Sequence, residues 1–249
     1  MLKQERYSHI LSTLEAEKKV TAAALSQALQ LSEATIRRDL TDLDALGKLK
    51  KVHGGAVPVT SLPFSFQQRQ EIHSQAKRAI ARKVLPLLTD ARTMIIDAGT
   101  TNLALVKQFP SDITATCITN SPTIAQQLAS YSKVDVLLTG GTYVVHDEAL
   151  VGPWAVQTLH NVYADVCVLG VCSLHAQYGL TTGSLEQSTV KQTMMQQARR
   201  TIALADADKI GKVESYRVGE VSQLTTVVTD LAPDDDRWDE YRACGVAIV

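Results

Sequence analysis

The side chains best suited to reading a nucleic acid are concentrated at residues 32–38. An arginine donates hydrogen bonds to guanine or to phosphate, and a threonine contacts either a base or the backbone. Because Ser32 can cap a helix with its hydroxyl, Thr35, Arg37 and Arg38 would lie on the exposed side of the first turns of that helix. The spacing therefore predicts a helix that enters the major groove of DNA.

Two short helices and a tight turn would position this surface. Apolar residues at helical spacing predict a first helix over 21–29, and Gln30 and Leu31 form the turn before the second helix. The second helix would bury one apolar stripe and end at Gly47. That stripe consists of Ile36, Leu40, Leu43 and Leu46.

A basic segment with two glycines follows at 49–57. Its glycines would allow a tight hairpin turn, and its lysines would reach phosphate, as in the wing of a winged helix. The alternative is a helical hairpin in which Arg37 and Arg38 form a solvated face, but the order of cap, turn, stripe and basic hairpin favours DNA binding. The residues predicted to contact DNA are Ser32, Thr35, Arg37, Arg38, Lys50, Lys51 and His53.

A longer pattern surrounds these residues. It comprises Arg6, Ile10, Leu25, Leu31, Ser32, the run Thr35-Ile36-Arg37-Arg38-Asp39-Leu40, Leu43, Gly47 and the run His53-Gly54-Gly55-Ala56. With this pattern the segment resembles the winged helix-turn-helix of DeoR-family bacterial transcriptional regulators. The resemblance implies that the partner is double-stranded operator DNA. Because operators for such heads usually share the two-fold symmetry of the protein, we expect a homodimer or homotetramer.

Small polar residues recur directly after predicted strands in the rest of the chain, at 97–101, 119–121, 139–142 and 206–209. In open α/β sheets, ligands bind beyond the carboxyl ends of the strands, where glycines admit a ligand and helix N-terminal amides suit phosphate. Each run by itself is more often a helix start or a loop cap. Four of them at equivalent strand ends predict a polar pocket that accepts an anion.

Strands rich in Ile, Val and Leu alternate with helices from residue 73 onward, which predicts a mostly parallel sheet covered on both faces. The predicted fold class is α/β, with an N-terminal winged helix-turn-helix followed by a mostly parallel α/β sheet domain. We expect a head at 1–57, a linker at 58–72 that docks through Phe64 and Phe66, and a second domain at 73–249. The predicted helices are 73–88, 101–109, 122–130, 153–160, 185–199 and 235–243, and the predicted strands are 94–97, 113–119, 134–139, 164–170, 201–205, 225–229 and 246–249.

A second set of positions extends over this region: Asp97, Gly99, Thr100, Thr101, Thr119, Asn120, Gly140, Gly141, Gly152, Lys191, Asp206, Lys209 and Gly211. With them the region resembles the effector-sensing domain of the same family, which is similar to ribose-5-phosphate isomerase and the CoA-transferase fold. The resemblance implies a pocket for a phosphorylated sugar that alters operator binding. The predicted effector-binding residues are Asp97, Gly99, Thr100, Thr101, Thr119, Asn120, Gly140, Gly141, Lys191, Asp206 and Lys209.

Within this set, Thr100, Thr101 and the amides around Gly99 would bind phosphate, and the two lysines would neutralise its charge. The two aspartates and Asn120 would bind sugar hydroxyls, although Asp97 and Asp206 could instead serve only as loop caps. One position departs from the family pattern, because Asp208 stands where members often carry serine. A carboxylate there could repel phosphate or accept a sugar hydroxyl.

An isomerase function is the main enzymatic alternative. An aldose–ketose isomerase needs a carboxylate base over the sugar, and the resemblance places Lys191 where those enzymes keep a catalytic glutamate. Lysine suits the holding of an anion better than the abstraction of a proton, so we expect no enzymatic activity. The predicted function is a ligand-responsive repressor of a sugar or sugar-derivative catabolic operon. The alternatives are an activator of the same architecture and a sugar-phosphate isomerase with a DNA-binding head.

Composition sets further limits. The 249-residue chain carries a net charge of −1, and its first 60 residues carry nine Lys or Arg against seven Asp or Glu, so DNA affinity would depend on placed contacts more than on bulk charge. The chain has neither an apolar run of transmembrane length nor a signal-peptide pattern, so we expect a cytoplasmic protein without membrane contact. No cofactor and no metal is expected, because the cysteines lack zinc spacing and suit buried thiols. They are Cys117, Cys167, Cys172 and Cys244.

Overall fold

The structure is a computed structural model of the chain. It describes residues 3–17, 20–46, 48–52, 54–57 and 65–249. The chain divides between Phe64 and Ser65 into two compact units. The predicted linker at 58–72 therefore differs from the structure in its second half, where Phe66–Glu71 forms a helix of the larger unit. Phe66 is buried in the core of that unit, which explains why a phenylalanine is found there. Phe64 and the first half of the predicted linker lie outside the described residues.

The smaller unit is a three-helix head with a small sheet. Its elements are α1 (Lys3–Glu17), β1 (Val20–Thr21), α2 (Ala22–Leu29), α3 (Glu33–Ala45), β2 (Lys50–Val52) and β3 (Gly55–Val57). The strands are antiparallel in the order β1-β3-β2. The helix predicted to start at residue 21 starts one residue later, because the Thr21 hydroxyl accepts the Ala24 amide as its N-cap.

The core of the head confirms most of the predicted apolar stripe and corrects its last member. Ile36, Leu40 and Leu43 are buried, but Leu46 is 62% exposed. Leu46 is the C-cap of α3, so the helix ends before a fourth turn of the stripe can form. Leu49 occupies the core instead. Gly47, predicted to end the helix, lies outside the described residues.

The larger unit is built on a seven-stranded parallel sheet in the order β15-β14-β12-β9-β4-β5-β6. Its helices are α4 (Phe66–Glu71), α5 (Ser74–Val84), α6 (Thr100–Val106), α7 (Pro122–Leu128), α8 (Pro153–His160), α9 (Leu185–Gln196) and α10 (Asp239–Ala243). The strands of the main sheet are β4 (Thr93–Ile96), β5 (Ala115–Thr119), β6 (Val134–Leu138), β9 (Val166–Gly170), β12 (Thr201–Leu204), β14 (Thr226–Val228) and β15 (Ala247–Ile248). This arrangement confirms the predicted α/β class.

Each face of the main sheet has its own apolar layer. Ile95 belongs to one layer, together with Leu159 and Trp238, whereas its neighbours Met94 and Ile96 belong to the other. This alternation follows from the two-residue period of a strand. Parallel strands covered on both faces are therefore apolar along their whole length, which is why the sequence signalled them clearly.

In the larger unit, five antiparallel strands were not predicted. They are β7 (Thr142–Val144), β8 (Ala149–Val151), β10 (Ser173–His175), β11 (Gly179–Thr182) and β13 (Tyr216–Gly219). Strands β7 and β8 form a hairpin, and β11 lies between β10 and β13. Each has only three or four residues, so no periodicity can develop. Several predicted helices also end earlier than expected, for example at Gln196 instead of 199.

The cysteine prediction was correct for two of the four residues. Cys117 and Cys167 are buried, whereas Cys172 and Cys244 are exposed. Burial raises the pKa of the Cys117 thiol to about 12. Among the described residues, no group of three or more His, Cys, Asp or Glu could hold a metal ion. No helix in the same ranges has the length and apolarity needed to cross a bilayer.

Candidate functional site

The exposed surface of α3 is the candidate DNA interface. Ser32 caps the helix, since its hydroxyl oxygen accepts the Thr35 amide at 3.2 Å. Arg37 and Arg38 are exposed on the first two turns, and the Arg37 guanidinium donates to the Glu33 carboxylate at 2.8 Å. An exposed pair of this kind is weak and can exchange its carboxylate for phosphate. Both arginines can therefore reach a duplex that approaches α3.

Two further carboxylates of α3 hold the helix against α1. Asp39 is buried and accepts two hydrogen bonds from Arg6, at 2.7 and 2.9 Å. Asp42 accepts from the Lys3 ammonium at 2.7 Å and the Tyr7 hydroxyl at 2.9 Å. Hydrogen bonding from Lys3 and then from Tyr7 lowers the pKa of Asp42. These contacts fix the orientation of α3 relative to α1.

The β2–β3 hairpin lies beside α3 as a wing. The Lys51 amide donates to Asp44 at 3.0 Å, and its ammonium donates to the Thr41 hydroxyl at 2.7 Å. Thr41 is exposed next to these groups and was not among the predicted contacts, because a threonine in the third turn of a helix carries no distinctive signal. His53 and the side chain of Lys50 lie outside the described residues, so their predicted contacts stay predictions.

In the larger unit, the carboxyl end of β4 carries a buried ion pair. The Lys191 ammonium, supplied by α9, contacts the Asp97 carboxylate and donates to the Gly170 carbonyl at 2.8 Å. The same carboxylate accepts the Gly170 amide at 3.0 Å. Burial is the largest single effect and would lower the pKa of Lys191, but the charge of Asp97, the hydrogen bond to it and the two neighbouring thiols together raise that pKa. The cation predicted to neutralise phosphate is thus already neutralised within the chain.

The loop after β4 is held by the end of β5. The Asn120 amide oxygen accepts the Ala98 amide at 2.8 Å, and its NH₂ group donates to the Leu150 carbonyl at 3.2 Å. The Thr119 hydroxyl accepts the Ser121 amide at 3.1 Å. Asn120 therefore holds the loop after β4, and the Thr119 hydroxyl shapes the turn after β5.

The positioned loop leads into α6. Gly99 is the N-cap of α6 and has a φ of 151°, and a Cβ there would meet open space. Thr100 and Thr101 are half-buried on the first turn, where helix amides have no partner within the helix. These amides and hydroxyls could receive an anion.

A second group of charges lies at the end of β12. Asp206 is 6% exposed, and its Oδ1 is buried with no hydrogen-bond partner among the described residues. The His73 imidazole lies between two carboxylates, with Nδ1 3.7 Å from Asp206 and Nε2 3.5 Å from Asp208. The backbone amide of Lys209 donates to the Asp206 carbonyl at 2.9 Å. Asp208 is exposed, so its departure from the family pattern adds charge at the rim of the site.

Lys77 is a site residue that sequence reasoning missed. It is 6% exposed, and its ammonium donates to the carbonyls of Arg69 and Ile72, the latter at 2.7 Å. Burial lowers its pKa, and the charge of Asp206 opposes that shift. The signal was present in the sequence, because Lys77 has helical spacing with Ile80, Ala81 and Val84 on the buried stripe of α5. A lysine on an apolar stripe needs a buried partner.

A cavity of about 230 Å³ lies between the start of α6 and the α4–α5 corner, and the charged residues at the end of β12 do not line it. Thr100 from the β4 loop and Lys77 from α5 both line it, and Arg78 and Lys107 add positive charge. Glu71 contributes the opposing negative charge on the same wall. The structure thus brings residues of the β4 end and the α4–α5 corner to one concave surface.

Gly140 and Gly141, which were predicted to bind the effector, lie at an edge of the main sheet. They follow β6, which is four strands away from β12 in the sheet order, a separation of about 19 Å at the usual strand spacing. A sugar phosphate is too short to contact both ends. A Cβ on Gly141 would collide with the Val151 carbonyl oxygen, so this glycine is explained by packing. The β6 end is therefore a poorer candidate than the β4 and β12 ends.

Comparisons with known proteins cover both units. Residues 6–61 match the DeoR-like helix-turn-helix domain, and residues 72–231 match the DeoR C terminal sensor domain. The chain is 33% identical to the HTH-type transcriptional regulator GlpR of Haloferax volcanii over 251 residues, which cover 100% of this chain and 98% of that protein. It is 30% identical to the HTH-type transcriptional repressor GlcR of Bacillus subtilis over 251 residues, which cover 100% of this chain and 96% of that one.

Among solved structures, ribose 5-phosphate isomerase A from Methanocaldococcus jannaschii matches with a TM-score of 0.41 and 14% identity. The match covers 55% of this chain and 54% of the isomerase.

Proposed function

We propose that this chain, which belongs to the DeoR family of helix-turn-helix transcriptional regulators, represses a sugar or sugar-derivative catabolic operon under the control of a phosphorylated sugar. The head binds operator DNA through α3 and the wing, and the larger unit binds the effector. The similarity to GlcR of Bacillus subtilis, a transcriptional repressor, supports repression as the mode of regulation. Because operators of such heads usually share the two-fold symmetry of the protein, the chain acts as a homodimer or homotetramer in this proposal.

The observation that carries the effector proposal is the unpartnered carboxylate oxygen of Asp206. A buried acceptor without a donor costs about 1–3 kcal/mol, and a sugar hydroxyl would supply that donor. Lys77 lies close enough for its pKa to respond to both Asp206 and Lys209. Two ammonium groups beside a hydroxyl-binding carboxylate suit a ligand that carries both a phosphate and hydroxyls.

The remaining predicted ligands divide into two roles. Thr100 and Thr101 offer hydroxyls and first-turn amides to the phosphate. The Asp97–Lys191 pair and Asn120 hold the loop that presents these groups. We therefore place Lys191 as a positioning residue, which differs from the direct phosphate contact that the sequence predicted.

Calorimetry with aldose and ketose phosphates tests the effector site. For a ligand that the wild type binds, Asp206→Asn should weaken binding by about 10- to 150-fold, because the variant loses a hydrogen bond to a charged group. Asp112→Asn is the matched control, since Asp112 is exposed in the loop before β5. Wild-type affinity in Asp206→Asn, or no binding of any phosphate in the panel, would contradict the proposal.

DNA binding is tested on a duplex that the wild type selects from a random pool. Arg38→Ala should weaken binding by about 1–3 kcal/mol if Arg38 contacts a base. Arg82→Ala removes an equal charge from an exposed position of α5 and should leave affinity unchanged. Equal losses in both variants would indicate nonspecific charge attraction and would remove Arg38 from the interface.

We also propose that the larger unit binds sugar phosphates without converting them. Lys191 is held as a cation by Asp97, so it cannot act as the base that isomerisation requires. Prolonged incubation with ribose 5-phosphate and hexose phosphates should return each compound unchanged by NMR. Sustained turnover that Lys191→Met abolishes would favour the isomerase alternative.

A further inference from the structure

We propose that strand β6 is the contact between two copies of this chain, paired antiparallel across a two-fold axis. The expectation that a second copy is present rests on the proposed function. The choice of surface is argued from the sheet alone.

Strand β6 is an open edge of the main sheet. Among the described residues it pairs only with β5. The Lys133 carbonyl accepts the Ala115 amide, and the Thr139 amide donates to the Thr119 carbonyl at 3.0 Å, so odd-numbered residues direct their backbone groups toward β5. By alternation, Val136 and Leu138 direct theirs outward. An outward row of this kind is a template for another strand.

This edge lacks the features that usually protect an edge strand. Its five residues include no lysine and no proline, and its only charge is Asp135. Leu137 and Leu138 are 42% and 39% exposed. At the opposite edge of the same sheet, β15 has only two residues, and so short a strand offers few backbone groups for pairing with another chain. An exposed apolar edge strand of five residues is therefore a site where another strand can pair.

Further exposed apolar side chains follow β6 along the chain. Tyr143 belongs to β7, Val145 comes directly after it and Trp154 belongs to α8, and all three are exposed. Trp154 precedes Thr158 by one helical turn, and the Thr158 hydroxyl donates to the Thr139 carbonyl at 2.8 Å. Trp154 therefore lies on the side of α8 that meets the end of β6. A contiguous apolar patch on a protein surface typically marks an interface.

A second copy matches this edge in both hydrogen bonding and charge. A two-fold axis at Val136 would bring all five residues of β6 opposite a partner strand, with Val136 facing its own copy through outward backbone groups. Asp135 would then face Leu137 across the axis, so no two acids are directly opposed. An axis at Asp135 would also bring outward backbone groups together, those of Val134 and Val136, but it would place two acids directly opposite each other.

The test uses sedimentation equilibrium of the full chain. Leu137→Glu places an acid opposite Asp135 twice per dimer, so the dimer dissociation constant should rise about tenfold or more. Adding Asp135→Lys to Leu137→Glu creates two opposite-charge pairs in the same register and should restore association to within about threefold of wild type. Tyr163→Glu, at a fully exposed loop position beyond α8, is the control and should change nothing.

Three results would overturn the proposal: a monomeric wild type at micromolar concentration, no effect of Leu137→Glu, or no rescue by Asp135→Lys. Effector calorimetry on Leu137→Glu separates this proposal from the function. Leu137 lies away from the β4 and β12 ends, so the variant should keep the wild-type effector affinity. Loss of effector binding in the wild type itself would contradict the function and leave the dimer measurement intact.

Discussion

Removing Lys191 should destabilise the larger unit through the carboxylate that it leaves behind. In Lys191→Met the apolar stem is retained, but Asp97, 1% exposed, loses its only ion-pair partner among the described residues. Breaking a buried pair from one side costs about 3–5 kcal/mol. With a urea slope of about 2 kcal/mol per molar, the unfolding midpoint should fall by about 1.5–2.5 M.

Removing both charges should cost less than removing one. Asp97→Asn with Lys191→Met keeps an oxygen that can accept the Gly170 amide and leaves no buried charge. We expect the double variant to be at least about 1 kcal/mol more stable than Lys191→Met. Both tryptophans, Trp154 and Trp238, belong to the larger unit. Tryptophan fluorescence in urea therefore reports on that unit alone.

The pH dependence has a definite sign. Burial raises the pKa of Asp97, and Lys191 opposes that shift. Without Lys191 the folded-state pKa of Asp97 lies further above its unfolded value, so Lys191→Met should regain stability as pH falls through that raised pKa. A variant that loses less than about 1 kcal/mol at neutral pH, or whose loss is the same at every pH, would refute the buried ion pair.

Three further predictions follow from the same structure. Asp42 should titrate by carbon NMR below its ordinary value of 3.8, and Lys3→Met should return it toward that value; because the folded pKa is lowered, the contribution of Asp42 to head stability is present near neutral pH and is lost as pH falls through that pKa. Gly141→Ala should lower urea stability by more than about 2 kcal/mol, since a Cβ collides with the Val151 carbonyl, whereas Gly140→Ala at φ 71° meets open space and should cost only about 1–2 kcal/mol of backbone strain; equal losses would contradict the collision. A thiol reagent at mildly alkaline pH should label Cys172 and Cys244 in the folded chain, with Cys117 and Cys167 reacting only after denaturation; rapid labelling of all four would contradict the burial.

The sequence predicted the parts of the molecule that repeat a local pattern. Helix α3, its Ser32 cap and the parallel strands were recognisable, because capping and continuous apolar runs are local signals. Leu46 was wrongly assigned to the core. The position at which a helix ends depends on which later residue packs into the core, and here that residue is Leu49. The short antiparallel strands carry too few residues to show a period.

The sequence predicted which strand ends carry the polar residues of the candidate site, but it did not predict which charged side chains pair with each other. The strand-end positions of Asp97 and Asp206 followed from the general rule for α/β sheets. The pairing of Asp97 with Lys191 joins residues 94 positions apart, which no local spacing reveals. Lys77 was overlooked because a lysine on a helix is usually solvated, and only the burial of α5 shows otherwise.

The most direct test of the account is the effect of the effector on operator binding. Fluorescence anisotropy of a labelled operator should be measured with and without a sugar phosphate that binds in calorimetry. The account predicts that a saturating effector changes the operator dissociation constant of the wild type by about 5- to 150-fold. Asp206→Asn should need about 10- to 150-fold more effector than the wild type to reach the same change. An unchanged operator affinity in the effector-saturated wild type would contradict the account.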